Sequence, residues 1–371
     1  MSNDSSILMQ VAISMIPRLN RMESLPLIEQ CGGIEGFFQE SQTALENLYH
    51  LFNIPKNAFN REESLKKAEK EMGEMDKYGI QICTIEHTEY PCLLRLCEDA
   101  PLVFFYKGKL NTFSENMNLA IVGTRHASPR CQAKVESIVE ELQGFGSCLS
   151  IVSGLAYGID ASAHRASLKY GLRTDAVLGH GLHMIYPASH KNLAENILEN
   201  GGALISEFPC SATILRSNFL QRNRIVAGMS RATLIAESAE KGGAMATARI
   251  ASSYNRDVLA IPGRPEDKWS SGCNLLIKEN LAALVENGTD IAKQLGLLLP
   301  KKQAVQTSLN FFGENDNKAT VLQLLSERNE TNIDEICVNT GISAHELSAL
   351  LLELELEGKV TALPGKNYIS N

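Results

Sequence analysis

The stretch LAIVGTRHASPR (residues 119–130) indicates the fold class. It begins with an uninterrupted apolar run, which is typical of a strand that is covered on both faces. Gly123 allows the chain to turn closely, and Ser128 followed by Pro129 offers a capping side chain and a favoured first helical residue. The segment therefore predicts a buried strand that leads through a tight turn into a helix.

The same pattern recurs through residues 86–298, where five further apolar runs alternate with helical segments. These runs are CLSIVSG (148–154), TDAVLG (174–179), ALISE (203–207), ATLIAE (232–237) and DVLAIPG (257–263). Strands and helices in alternation indicate an α/β domain with a doubly wound, mostly parallel sheet. Ligands bind such sheets beyond the carboxyl ends of the strands, so we expect functional residues in the turns that follow them.

Two regions of different character flank the α/β region. Residues 1–85 show helical periodicity and predict a helical domain, either a DNA-touching helix-hairpin-helix or SAM-like unit or simply a small helical bundle. Residues 299–315 are expected to be a linker, and residues 316–371 predict the three helices and hairpin of a winged helix. This last segment carries nine acidic residues against four basic ones, so it is expected to contact protein rather than duplex DNA.

Composition narrows the class of protein. The chain has 371 residues, 44% of them hydrophobic, and a formal net charge of −8, which argues against a general nucleic-acid coat but not against a local basic site. Its nine cysteines form no C-x-x-C pair, so we expect no metal site and a reducing compartment. No secretory signal or span of membrane length is evident, and a cytoplasmic protein without membrane attachment is expected.

The turns that follow the predicted strands combine glycine with positive charge. No acidic residue occurs from residue 119 to residue 135, and Arg125 lies directly after the turn at Gly123. The second strand ends at Ser153 and Gly154, where small residues let the backbone approach a ligand. Since helix N-termini bind anions, these turns predict an anion site, although a solvated surface arginine is the alternative for Arg125.

Two further turns fit the same interpretation. Gly242 and Gly243, in EKGGAMATARIA (240–251), precede a helix as in phosphate-binding turns. In the segment GHGLHMIYPASHKN (179–192), Tyr186 and Lys191 suit the stacking of a base beside its phosphate, and a buried tyrosine beside a solvated lysine is the alternative. This segment lacks the third glycine of the dinucleotide fingerprint, so it does not predict a nucleotide cofactor.

The stretch FLQRNRIVAGM (219–229) carries the densest positive charge. Between residues 208 and 236 there are four arginines and no acidic residue. If the stretch is helical, its apolar positions Phe219, Leu220, Ile225 and Val226 are expected to face the sheet. Arg222 would then lie on or beside the packed face, where a phosphate could satisfy its guanidinium. The alternative is that Glu207 or Glu237 pairs with these arginines inside the chain.

These blocks together resemble the DNA-processing protein A (DprA/Smf) family. The matching segments are AIVGTR (120–125), SGLAYGIDASAHRASL (153–168), IYP (185–187), ALISEFP (203–209), FLQRNRIVAGMS (219–230), GGAMATARIA (242–251) and AIPG (260–263). The resemblance implies an extended Rossmann domain that binds single-stranded DNA, with a helical N-terminal domain and a C-terminal winged helix. It also implies loading of the recombinase RecA onto incoming strands coated by single-strand binding protein during natural transformation.

The resemblance assigns roles to particular residues. It implies DNA contacts for Arg125, for Arg222, Asn223 and Arg224 of the R-N-R run, and for a basic residue after Y-P, here Lys191. Family members have serine-containing turns where this chain has KGGA (241–244), so backbone N–H groups would have to hold a phosphate there. The family also implies a homodimer, for which GCNLLIKENLAALVENG (272–288) would supply the surface.

An enzyme of another class is the alternative hypothesis. Phosphoribohydrolases that share a related Rossmann core carry a P-G-G-x-G-T-x-x-E motif with a catalytic glutamate. In KGGAMATAR (241–249) the threonine is shifted by one residue, and Arg249 stands where the acid is needed. No Ser/His/Asp set or carboxylate pair appears at the predicted strand ends. We therefore expect no catalytic residue, no cofactor and no metal.

Overall fold

The computed structural model describes residues 3–16, 21–51, 60–110, 117–145, 148–297, 314–328, 331–363 and 366–370. It divides into two compact units, residues 1–300 and residues 301–371, which are described separately. Within the described residues no helix is both long enough and apolar enough to cross a membrane.

The first unit begins with five helices. They are α1 (Asn3–Ser14), α2 (Arg21–Gln30), α3 (Ile34–Gln39), α4 (Gln42–Leu51) and α5 (Arg61–Lys77). The first four share a core that contains Ile13, Leu27, Phe37, Leu45 and Tyr49. Helices α1 and α5 also pack against the sheet through residues such as Val11, Ala68 and Met75. The helical N-terminal segment is therefore continuous with the α/β core rather than separate from it.

The rest of the unit alternates strands and helices. The strands are β1 (Gln81–Thr84), β2 (Val103–Gly108), β3 (Met117–Val122), β4 (Leu149–Ser153), β5 (Arg173–Val177), β6 (Ala203–Ser206), β7 (Ala232–Ile235), β8 (Asp257–Ala260) and β9 (Ala283–Leu284). The helices are α6 (Cys92–Arg95), α7 (Pro129–Glu141), α8 (Ile159–Lys169), α9 (Lys191–Glu199), α10 (Arg216–Gly228), α11 (Gly243–Ser253), α12 (Ser271–Lys278) and α13 (Gly288–Gln294).

The nine strands form one sheet in the order β1-β2-β6-β5-β4-β3-β7-β8-β9. The seven strands from β6 to β9 run parallel, while β1 and β2 add antiparallel pairing at one edge. From β3 the chain builds outward through β4, β5 and β6, and then returns to build the other half from β7. The order therefore reverses between β3 and β7.

Helices cover both faces of the sheet, as its apolar strands require. Helices α7, α8 and α13 pack on one face through residues such as Val135, Ala163 and Ile291. Helices α10, α11 and α12 pack on the other face through residues such as Ile225, Ala248 and Leu276. The helices that follow β3 and β7 thus lie on opposite faces, which leaves a crevice between the carboxyl ends of these two strands.

All six predicted strands are present, and the predicted doubly wound sheet is confirmed. The prediction that residues 1–85 are helical is wrong for Gln81–Thr84, because this segment pairs with β2 at the edge of the sheet. Of the predicted linker, residues 299–313 lie outside the described residues, and Glu314 already begins a helix.

The second unit has the winged-helix plan that the sequence predicted. It contains α14 (Glu314–Glu327), β10 (Thr331–Asn332), α15 (Ile333–Thr340), α16 (Ala344–Leu356), β11 (Val360–Leu363) and β12 (Asn367–Ser370). Its three strands pair in the order β10-β12-β11. Gly341, at a left-handed φ of 71°, ends α15, and the hydroxyl of Ser343 caps α16.

Candidate nucleic-acid interface

The crevice between β3 and β7 contains a cavity of about 420 Å³. Its wall is built from the turn after β3, the N-terminal half of α10, the N-terminus of α11 and the loop that carries Trp269. Because the strand order reverses here, the helices diverge and leave space that no side chain fills. The turns that the sequence marked by glycine and arginine therefore meet at one place.

Gly123 brings the turn after β3 close to its neighbours. A Cβ at this residue would press on Ile159 at 2.5 Å and on the carbonyl oxygen of Glu237 at 2.9 Å. The backbone N–H of Thr124 donates to that same carbonyl at 2.7 Å, which ties the turn to the end of β7. Only glycine permits this approach, and the turn consequently presents Arg125 at the rim of the cavity.

Arg222 lies at the floor of the cavity and is only 4% exposed. Its Nη1 donates to the carbonyl of Gly154 at 2.5 Å and to the carbonyl of Val177, while Nε donates to Oδ1 of Asn223 at 3.1 Å. It therefore joins α10 to the ends of β4 and β5. Its Nη2 group makes no hydrogen bond to the described part of the chain, so two donors remain for a ligand.

Asp160 is the buried carboxylate that faces this guanidinium. Burial raises the pKa of Asp160, whereas Arg222 and the N–H groups of Ala156 and Gly154 lower it. Burial also lowers the pKa of Arg222, which Asp160 raises and Arg125 lowers further. No carboxylate of the described residues lies within 4.0 Å of the Arg222 guanidinium, so its charge is only partly offset.

The N-terminus of α11 opens into the same cavity. Gly242 precedes the helix and supplies no side-chain cap, and both Gly242 and Gly243 line the cavity. The N–H groups of Gly243 and Ala244 donate to no acceptor within the described ranges. Uncapped N–H groups at a helix N-terminus are suited to bind a phosphate oxygen.

Aromatic rings lie beside these cationic groups. The ring of Phe219 lies under the Arg125 guanidinium at 5.6 Å and next to the ring of Tyr186 at 5.8 Å. Trp269, which also lines the cavity, lies 6.4 Å from the ring of His126. Tyr186 and Trp269 are 49% and 38% exposed, so part of each side chain is open to a ligand.

The cavity brings together six of the ten residues that the sequence proposed as DNA contacts. These are Gly123, Arg125, Arg222, Asn223, Gly242 and Gly243. Ser153 and Gly154 are buried below it. The hydroxyl of Ser153 donates to the carbonyl of Ile121 at 2.6 Å, and the carbonyl of Gly154 accepts from Arg222. Lys191 is exposed at the start of α9, 3.9 Å from Glu195, and does not line the cavity.

Arg224 points away from the cavity. Its guanidinium pairs with the buried carboxylate of Glu207 and also donates to the carbonyl of Asp99 at 2.5 Å. For Arg224 the structure therefore shows the alternative that the sequence left open, an ion pair with Glu207 inside the chain, and a half-turn of helix places Arg224 opposite Arg222. Burial raises the pKa of Glu207, and Arg224 lowers it.

Sequence reasoning counted Arg216 in the arginine-rich segment but did not propose Phe219 or Trp269 as contacts, and all three line the cavity. Phe219 and Leu220 were expected to face the sheet, but Phe219 is half-buried at the cavity wall and Leu220 is 53% exposed. One signal was available, because Trp269 is the single tryptophan of the chain and lies in a polar loop.

Comparisons with known proteins agree with this geometry. The DNA recombination-mediator protein A model matches residues 81–296, and the DprA winged helix domain model matches residues 308–366. The chain belongs to the DNA recombination-mediator protein A family. Protein Smf of Escherichia coli is 37% identical over 281 residues, which are 74% of each chain. DNA processing protein DprA of Streptococcus pneumoniae is 40% identical over 202 residues, covering 54% of this chain and 70% of its own.

Two solved structures of the family are similar to this chain. The X-ray structure of DNA processing protein A from Streptococcus pneumoniae has a TM-score of 0.63 and 30% identity, covering 77% of this chain and 95% of its own. The structure of DNA processing protein A from Helicobacter pylori is described by its single-stranded DNA binding mode. It has a TM-score of 0.52 and 27% identity, and it covers 58% of this chain and 95% of its own. The family resemblance seen in the sequence is thereby confirmed.

Proposed function

We propose that the chain binds single-stranded DNA in the cavity between β3 and β7. The observation that carries this proposal is the buried guanidinium of Arg222, which lines a cavity that also receives the N-terminus of α11 and whose Nη2 makes no hydrogen bond to the described residues. A phosphate there would accept from Arg222 and from the N–H groups of Gly243 and Ala244. Arg125 and Arg216 at the rim would hold the neighbouring phosphates.

The aromatic rim favours a single strand over a duplex. Rings such as those of Tyr186, Phe219 and Trp269 can stack only on bases whose faces are free, and a duplex hides those faces. Stacking tolerates every base, so the strand would be bound with little regard to sequence. The Helicobacter pylori relative, described by its single-stranded DNA binding mode, supports the same substrate.

We further propose that the bound strand is protected and passed to the recombinase RecA during natural transformation, from DNA coated by single-strand binding protein. Family membership supports this step.

A homodimer is part of the proposal, with residues 272–288 as its surface, where Leu281 and Leu284 are 41% and 49% exposed. We propose a binding protein without a catalytic residue or cofactor, because Asp160, the one carboxylate that the described residues place at the cavity, accepts from the N–H of Ala156 at 3.3 Å and faces Arg222.

A gel-shift comparison of single- and double-stranded oligonucleotides across a salt series tests the binding step. We expect single strands to bind more tightly, with an affinity that falls as salt rises, because phosphate contacts release counterions. Equal affinity for duplex, or no dependence on salt, would contradict the proposal. For the second step, the protein should shorten the lag of RecA ATPase on strands coated by single-strand binding protein.

A further inference from the structure

A second cavity, of about 440 Å³, lies beyond the carboxyl ends of β7 and β8. Its wall includes one side of α7 and the segment Ile261–Arg264. Trp269 lines the first cavity, whereas its neighbours Asp267 and Ser270 line the second. The two cavities are thus adjacent, and the ring pair of His126 and Trp269 lies at their border.

Three cationic side chains line the second cavity, namely Arg130, Lys134 and Arg264. None of them forms an ion pair with a described residue, although acidic side chains line the same cavity. Asp267 accepts from the N–H of Trp269 at 3.0 Å and from the hydroxyl of Ser270 at 3.2 Å, and the exposed carboxylate of Glu286 also lines the cavity, but neither lies within 4.0 Å of the three cationic groups. The three cations are therefore available to an anionic ligand.

Glu237 supplies a buried acceptor to this cavity. It is 4% exposed and lines the cavity from the end of β7. One carboxylate oxygen accepts from the backbone N–H of Ser128 at 2.8 Å, and the other makes no hydrogen bond within the described ranges of the chain. This oxygen is not fully buried, so a ligand in the cavity that donates a hydrogen bond would take the place of solvent there.

We propose that the second cavity is a nucleotide subsite for the strand held in the first cavity. Glu237 accepts a hydrogen bond from the exocyclic amino group of a base, while Arg130, Lys134 and Arg264 hold its phosphate. Cytosine offers such an amino donor, whereas thymine presents a carbonyl acceptor at the same edge. This subsite rests on the proposed binding of single-stranded DNA and adds a preference for amino-bearing bases at one position.

The test compares oligo-dC with oligo-dT of equal length, at a pH above neutrality, by fluorescence anisotropy. The parent protein should bind oligo-dC roughly threefold to tenfold more tightly, as expected for a hydrogen bond between a carboxylate and a base. In Glu237→Gln the amide oxygen can still accept from Ser128, but the amide nitrogen donates into the cavity. The preference should therefore disappear or reverse in favour of oligo-dT.

Glu240→Gln is the matched control, because Glu240 is exposed in the same loop and the substitution removes the same charge. This variant should retain the preference of the parent for oligo-dC. Arg264→Ala should weaken the binding of both strands without changing their ratio. A strand of N4,N4-dimethylcytosine, which lacks the donor, should bind the parent as oligo-dT does, so the proposal can be tested even if Glu237→Gln does not fold.

The outcomes separate this proposal from the proposed function. The subsite is wrong, while strand binding stands, if the ratio of the affinities for oligo-dC and oligo-dT is the same in the parent and in Glu237→Gln. The same holds if strands of dimethylated and ordinary cytosine bind the parent equally. If the parent binds neither oligonucleotide, both proposals fail.

Discussion

The guanidinium of Arg222 occupies the space that a side chain at Gly154 would need. A Cβ built at residue 154 overlaps Nη1, Cζ and Nη2 of that guanidinium, and the carbonyl of Gly154 accepts its hydrogen bond. The glycine after β4 and the arginine of α10 are therefore one unit, although 68 positions separate them. Gly154 is needed because it leaves space for the guanidinium of Arg222, and not as a contact to the ligand.

Gly154→Ala should therefore impair both the fold and the site. Displacement of a buried guanidinium is expected to lower the free energy of unfolding by about 2–3 kcal/mol and strand affinity by about tenfold or more. Urea unfolding followed by the fluorescence of Trp269 measures the first effect, and anisotropy the second. Gly73→Ala is the control, because Gly73 is exposed in the middle of α5 and an added Cβ would meet no neighbouring atom within 4 Å. This substitution should raise the free energy of unfolding by about 0.5–1 kcal/mol.

The two exposed arginines of the rim should act through charge. Arg125→Ala and Arg216→Ala should weaken binding to all oligonucleotides alike, and each should reduce the slope of log K against log salt by about 0.7, the value for one phosphate contact of a single strand. Arg231→Ala is the matched control, because Arg231 is exposed at the amino end of β7, on the opposite edge of the sheet. An equal loss in the control would show that net charge, rather than the cavity, determines affinity.

Arg224 should behave differently from its neighbour in the R-N-R run. Removal of one partner from a buried ion pair leaves the other charge unpaired, so Arg224→Ala should lower the free energy of unfolding by about 3 kcal/mol. The affinity of the folded variant for oligo-dT should stay within about twofold of the parent. Loss of affinity without loss of stability would place Arg224 in the DNA site and contradict the assignment to structure.

The Arg224 pair illustrates which features the sequence could predict. Apolar runs such as LAIVG predict strands locally, and the alternation with helices was sufficient to predict a doubly wound sheet. The partner of a charged side chain depends on the tertiary fold, as with Asp99, which contacts Arg224 across 125 positions. The strand β1 is a similar case, because QICT joins the sheet only through its antiparallel pairing with β2.

The candidate site was predicted in the same uneven way. Turn residues such as Gly123 and Gly242 have a local signature, and they converge because parallel strands end at one edge of the sheet. Phe219 has no such signature, since an aromatic residue on an amphipathic helix usually faces the core. Its position at the cavity wall follows from the way α10 packs, because Arg222 is buried, at 4% exposed, while Phe219 is only half-buried.

Stability should depend on pH through His164, a fully buried histidine in α8. Its Nδ1 contacts the hydroxyl of Thr174 at 2.7 Å, and its Nε2 has no partner in the described residues. Burial first, and then the charge of Arg222, lowers the pKa of His164 from its usual 6.5 to about 3. Below pH 6.5 the unfolded chain binds a proton that the folded chain excludes. The stabilisation by neutral His164 is thus complete above pH 6.5 and is lost as the pH falls towards 3.

The free energy of unfolding, measured in urea by Trp269 fluorescence, should therefore fall between pH 6 and pH 4 by up to about 1.4 kcal/mol per pH unit from this group. His164→Leu should lack this component. Burial raises the pKa of Asp175 to about 6, and that effect on stability has the opposite sign. The pH dependence of His164→Leu must therefore be subtracted from that of the parent, which leaves the contribution of His164. Ser167→Ala, a buried position on the same helix, should change the free energy but keep the parental slope. Equal slopes in the parent and in His164→Leu would mean that His164 is protonated in the folded protein.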